Sequence, residues 1–252
     1  MTFSVVSRFA LCASLLAGFS LYAQDDEDNG PVVRRPSIGV RGEYYGSKFF
    51  LTGAATEHTT APIADYDFSA WAGTGKFAIA PTVEYRLKSR LSVGAEMQFH
   101  YAPYSQTTQI RTGLVNPNSS VDDRKVTTIV DSTKADYWDV PLLAHYYGLR
   151  KKGLLTKSYL SVGPELRHVG RVRTGNEITN ADGTTAYNEN PDTPRHMNEF
   201  GLVVGLGLRF VDDFKVKVAP EIRYIRWQGA SFEGPAFRSQ VNEVQAGLGI
   251  SF

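Results

Sequence analysis

Cysteine is all but missing from this 252-residue chain, which has one, Cys12. It follows Leu11 instead of the Gly or Ala wanted before a lipidated cysteine, and it lies in a segment expected to be removed. A mature chain without cysteine has neither disulfides nor thiol chemistry. Charge of one sign is lacking too: 27 Lys and Arg against 26 Asp and Glu leave a formal net charge of +1. Such a balance gives no basic field for a nucleic-acid partner. After Leu21 no apolar run approaches the ~18 residues of a transmembrane helix.

Chemical motifs are equally scarce. His58, His100, His145, His168 and His196 show no metal-ligand spacing such as HExxH. Gly73-Thr74-Gly75-Lys76 resembles the end of a phosphate loop but lacks the upstream glycine, and Phe77 stands where Ser or Thr is required. Asp25–Gly30 begins like a calcium loop, yet Pro36 occupies the place of its last acidic ligand. No Gly-x-Ser-x-Gly elbow occurs. Ala102 and Gly170 stand two residues after His100 and His168, so neither forms a His-x-Ser pair. No catalytic residue, cofactor or metal is therefore expected; a lipid A-modifying enzyme, needing a nucleophile beside a base, is the alternative from another class.

What the chain does have is alternation. In Gln240–Phe252, Val244, Ala246, Leu248, Ile250 and Phe252 share one face, and Glu243, Gln245, Gly247, Gly249 and Ser251 the other. That pattern, ending on an aromatic residue, suits an outer-membrane barrel strand with lipid on one side and a polar lumen on the other. The terminal Phe252 is read as the signal for the barrel-assembly machinery. Seven further segments alternate in the same way: Ser37–Tyr45, Lys76–Leu87, Leu91–Tyr101, Tyr137–Tyr147, Ser158–His168, Glu199–Phe210 and Phe214–Trp227. At the other end, Arg8, the apolar Phe9–Leu21 and Tyr22-Ala23-Gln24 read as a signal peptide over 1–23. A periplasmic linker over 24–36 and a barrel domain over 37–252 follow.

The connections sort into short and long in strict alternation. Lys88–Arg90, Gly148–Lys157 and Val211–Asp213 are short; Gly46–Gly75, Ala102–Asp136, Val169–Asn198 and Gln228–Ser239 are longer. Periplasmic turns and extracellular loops differ in this way. Thr107–Leu114 and Lys125–Thr133 are expected to pair as a hairpin beyond the bilayer, with an extra transmembrane hairpin, giving ten strands, as the alternative. Aromatics gather at strand ends as two girdles, Tyr44, Phe99, Tyr101, Trp138, Phe200 and Tyr224 toward the loops and Tyr85, Tyr146, Phe210 and Phe252 toward the turns. Pro81, Pro164 and Pro220 fall on outward positions, where bulges or bends are expected because proline lacks a ladder donor.

Asp136–Tyr147 (DYWDVPLLAHYY), Leu160–Leu166 (LSVGPEL), the Gly-rich sixth segment and the Gly-Ile-Ser-Phe end resemble the PorT-like outer-membrane β-barrel family. The resemblance runs from about Ser37 to Phe252 and implies a small bacterial outer-membrane barrel without a catalytic signature. No functional residue of that family maps onto a position here.

The expected fold is thus all-β: an eight-stranded, antiparallel, up-and-down transmembrane barrel. Both termini are placed in the periplasm and the barrel is taken as a monomer. Arg41, Arg86, Arg167, Arg209, Lys217 and Arg223 are expected to face Glu43, Glu84, Glu96, Asp139, Glu165, Glu199, Glu221 and Glu243 inside it. So narrow a barrel is filled by its own side chains, and its buried charges must pair or be hydrated. The expected role is non-enzymatic: an anchor in outer-membrane lipid that displays long loops to an extracellular ligand. A small passive pore is the alternative.

Overall fold

The computed structural model describes residues 36–73, 77–115, 117–119, 121–149, 154–189, 193–211 and 216–252. The expected signal peptide, all of the linker except Pro36, and most of the turn Val211–Asp213 lie outside these residues. Fifteen strands account for nearly all of the described chain, with one 3-10 turn at Leu154–Lys157.

Nine of the strands form the eight staves of the barrel wall: β1 (Pro36–Tyr45), β5 (Phe77–Arg86), β6 (Leu91–Glu96) continuing into β7 (Gln98–Thr112) as one stave, β8 (Lys125–Tyr147), β9 (Ser158–Thr179), β11 (Asn198–Leu208), β13 (Lys217–Trp227) and β15 (Asn242–Ser251). Each pairs antiparallel with the next, and β15 closes on β1 from Gly39↔Ser251 to Tyr45↔Gln245. Closure leaves the membrane-spanning sheet without a free edge, which a bilayer demands because every backbone group there must be bonded. Ring closure through eight strands excludes the ten-stranded alternative. The faces are those of the alternation: Ile79, Leu206 and Ile222 are 69%, 58% and 63% exposed, while Arg41, Glu43, Asp139 and Arg223 are 4% exposed or less.

The three prolines do not bulge the wall. Pro81 keeps its pairing with Val40, Pro164 with Leu202 and Pro220 with Leu248. Each instead lacks a rung toward its other neighbour. β6 and β7 are separated at Met97, opposite Pro81, yet Thr82↔Glu96 and Ile79↔Phe99 keep one register. Likewise β11 stops at Leu208, opposite Pro220, and β12 (Phe210–Val211) resumes at Phe210↔Val218. A missing N–H removes one hydrogen bond without inserting a residue, so the ladder lapses and the register survives. Among the described residues the one register shift between wall strands lies elsewhere, between Ala135 and Tyr137 of β8 opposite β9.

Strands of 23 and 22 residues, β8 and β9, run to about 75 Å at ~3.3 Å per residue, far more than the ~30 Å hydrocarbon layer. The excess stands on the extracellular side. β7 and β8 pair out to Thr112↔Lys125, as the expected hairpin requires. β4 (Ile63–Ala72) flanks β7, β3 (Ala54–Thr60) flanks β4, and β10 (Thr185–Asn188) folds back on β9. The result is a curved sheet above the membrane, in the order β3-β4-β7-β8-β9-β10.

Candidate functional site: the filled lumen and its extracellular seal

Alternation aims the charges inward, and the structure sorts them by height. At the periplasmic mouth Arg209 lies 3.8 Å from Glu84 and stacks 3.7 Å from the centre of the Tyr147 ring, whose hydroxyl donates to Glu84 at 2.7 Å. Arg86 donates instead to the carbonyl of Ser89 (2.6 Å) and Lys217 to the hydroxyl of Ser37 (2.8 Å). These two cations serve the strand ends and the turn, and neither makes an ion pair among the described residues. A cavity of about 60 Å³ opens here, lined among others by Arg41, Glu84, Glu96, His145 and Lys217.

The middle layer centres on Arg223 and Arg41. Arg223 donates to both carboxylate oxygens of Glu96 (2.7 and 2.6 Å) and to Glu221 (3.0 Å), and lies 3.5 Å from Glu43. Arg41 pairs with Glu221 at 2.7 Å and, more closely, with Glu43. Hydroxyls of Tyr159 and Ser161 also donate to Glu221. Gly205 and Gly247 leave the space that the layer fills: a Cβ on Gly205 would meet Ser161 and Glu221, and one on Gly247 would meet Glu43 and Arg41.

Above it Arg167 grips Asp139 with two hydrogen bonds (2.9 and 2.8 Å) and Glu243 with two more (2.7 and 3.0 Å). Its guanidinium lies 4.0 Å from the Trp227 ring centre. His100 reaches Asp139 at 2.9 Å and is sandwiched between Phe49 and Tyr137, at 4.7 and 5.1 Å with planes within 9°. Leu143, Val203, Ile225 and Trp227 form an apolar cluster within the lumen. Glu165 is 1% exposed, and its Oε1 has no hydrogen-bond partner among the described residues. Glu199 is buried at the extracellular end. The charges expected in one network therefore fall into three groups, with Glu165, Glu199, Arg86 and Lys217 outside the principal ion pairs.

The extracellular end is apolar, which the sequence reading did not foresee. After β1 the chain turns inward, and Phe49 and Phe50 are 7% and 1% exposed. The last loop turns inward to meet them: β14 (Phe237–Ser239) pairs with β2 (Phe50–Thr52), and Gln240 N–H donates to the carbonyl of Phe49 at 2.8 Å. Phe50, Tyr104 and Phe232 pack with Tyr45, Tyr137, Ala102, Ala135 and Val169 as one cluster across the mouth. Aromatic residues in loops otherwise rich in Thr, Asn and Gly, namely Phe49-Phe50 and Phe232 with Phe237 around Gly234-Pro235, were the available signal. Beside the cluster lies a cleft of about 220 Å³ between the extracellular sheet and the last loop, lined by Gln106, Asp131, Arg195, Glu233 and Phe237 among others.

A closed ring of eight strands, lipid-facing apolar side chains and a charged interior describe a membrane barrel, and the sequence comparison agrees. Residues 22–226 match the model of the family described as outer membrane protein beta-barrel domain. The chain belongs to that family. Its barrel is therefore one of the bacterial outer membrane. Among curated proteins none matches the sequence. Among solved structures, Neisserial surface protein A is 11% identical, with 86% of this chain and 97% of that one covered and a TM-score of 0.32. Outer membrane protein AlkL is 11% identical over 91% and 95%, at 0.38. The outer membrane protease OmpT from Escherichia coli is 12% identical over 86% and 91%, at 0.28.

Proposed function

We propose that this outer-membrane barrel is a non-enzymatic, closed anchor that presents its extracellular sheet and the cleft beside the last loop to a surface partner. The supporting observation is the double seal of the lumen, ion pairs at mid-height and an aromatic cluster at the extracellular mouth. An interior packed so closely that added Cβ atoms would collide with Glu43 and Glu221 supports a lumen closed to ions. The ordered sheet above the membrane and the absence of a nucleophile-and-base motif from the sequence support display over catalysis. In this reading the chain is exported by its N-terminal signal, loses residues 1–23, and is inserted by the barrel-assembly machinery, which reads Phe252. It then stands as a monomer with both termini in the periplasm, among PorT-like barrels. Ion conductance of the refolded, signal-free protein in a planar bilayer tests the proposal. Silence from protein shown to be folded is expected; discrete, reproducible current steps would overturn it in favour of a pore.

A further inference from the structure

Just above the extracellular girdle, β9 changes phase. Up to Val169 its odd-numbered residues point inward, with Arg167 4% and Val169 0% exposed. The pairing with β8 then shifts: Tyr137 faces Val169 but Ala135 faces Val172, so two steps on β8 meet three on β9. The extra residue is a β-bulge, and it moves every later side chain to the opposite face. Beyond it Val172 packs against the aromatic cluster, and Thr174 is buried in hydrogen bond with Thr133 at 2.9 Å. Arg171 and Arg173 consequently stand exposed on the outer surface. Without the bulge, the same alternation would drive both guanidinium groups into the aromatic seal.

Lys134, the cross-strand partner of Arg173, joins them with its ammonium 3.9 Å from the centre of the Tyr101 ring. The acids near this patch are Asp136, which pairs with Arg173 at 2.8 Å, and Glu177, farther out along β9. Arg171 has no ion-pair partner among the described residues. Lys134, Arg171 and Arg173 against Asp136 leave three positive charges less one negative, a surplus of two. The patch lies four residues past Trp138 on β8, about 10 Å above the girdle for a strand tilted ~40°. That is the level of lipid headgroups, not of hydrocarbon.

We propose that Lys134, Arg171 and Arg173 form a ledge that binds a phosphate group carried by an outer-leaflet glycolipid, the headgroup chemistry of lipid A. Arginine offers a phosphate paired, geometrically matched donors, and basic side chains at a membrane surface hold anionic headgroups. The occupant is a lipid because Tyr101, Phe99 and Trp138, all exposed on the same wall, offer apolar surface directly beneath the ledge for its chains.

The test uses the refolded full-length barrel in detergent, with bound lipid counted by native mass spectrometry during titration with diphosphoryl lipid A. Replacing both Arg171 and Arg173 by Gln is expected to weaken binding about thirtyfold, and lipid A stripped of its phosphates is expected to bind as weakly to the unchanged protein. Lys125→Gln, at the distant hairpin tip, is the control and should bind as the parent does. Arg171→Gln alone, at an exposed position without an ion-pair partner among the described residues, keeps the test decisive should the double variant fail to fold; about fivefold weakening is expected. Equal binding by parent and folded variants would overturn the proposal. So would inorganic phosphate occupying the ledge as tightly as the lipid, which would make it a site for free anions.

Discussion

Arg223 shows what a single residue does in so narrow a barrel. It is 1% exposed and neutralises Glu96 and Glu221 together, so truncation leaves the Glu96 carboxylate without an ion-pair partner among the described residues and Glu221 with Arg41 alone. Arg223→Ala is expected to destabilise the barrel by about 3–5 kcal/mol, measured by urea unfolding in lipid vesicles. Gly247 is the steric counterpart. Gly247→Ala pushes a methyl into the Arg41–Glu43 pair, for an expected loss of about 1–3 kcal/mol in the same assay. In the extracellular hairpins Arg124 joins Asp122 and Asp65, and Asp65 also meets His58. Hydrogen bonds from Arg124 bring the Asp122 carboxyl down to about 2, and those from Arg124 and His58 lower Asp65. A depressed carboxylate stabilises the fold above its ordinary range and stops doing so as it protonates. The clasp should therefore hold above about pH 4 and loosen between about pH 4 and 2, seen as faster hydrogen exchange in β3 and β4.

Among the elements, the last loop carries most of what is new. Its tip closes on itself, with Ser239 N–H donating to Phe232 O and Gly234 N–H to Phe237 O, both at 2.8 Å. Phe232 is thereby held in the mouth against Phe50 and Tyr104. Replacing residues 229–240 by a short Gly-Ser connector should lower the thermal unfolding temperature, because it uncovers two aromatic side chains. It should leave the bilayer electrically silent, since Arg41, Arg223 and their carboxylates still fill the lumen. Current steps from this variant would show that the loop is the sole seal. The wall strands behave differently: β1 begins at Pro36, one residue before the expected Ser37, whereas β7 runs on to Thr112, β8 starts already at Lys125 and β9 runs on to Thr179, well past the expected Tyr101, Tyr137 and His168.

The whole molecule stands on closure. β15 bonds to β1 on one side and β13 on the other, so removing Gly247–Phe252 exposes two strand edges to lipid. The truncated chain is expected to lose the heat-modifiable band that folded barrels give on gels, whereas the full chain shows it. Closure also explains how the extracellular sheet stays ordered, since its central strands β7, β8 and β9 are continuations of the wall.

Location, strand number and the inward charges were legible in the sequence. Each depends on a period of two, and a side chain's face is fixed by its own strand. Arg41, Glu43, Asp139, Arg167, Glu221 and Arg223 all lie where parity places them. Tertiary structure alone decided which charges meet, because Arg167 finds Glu243 across 76 residues of chain. It decided that Phe49, Phe50 and Phe232 pack together across the mouth, since two loops distant in sequence must first be brought together by closure. It also decided that Arg171 and Arg173 face outward: a one-residue bulge inverts the parity beyond it, and its position is set by pairing with β8.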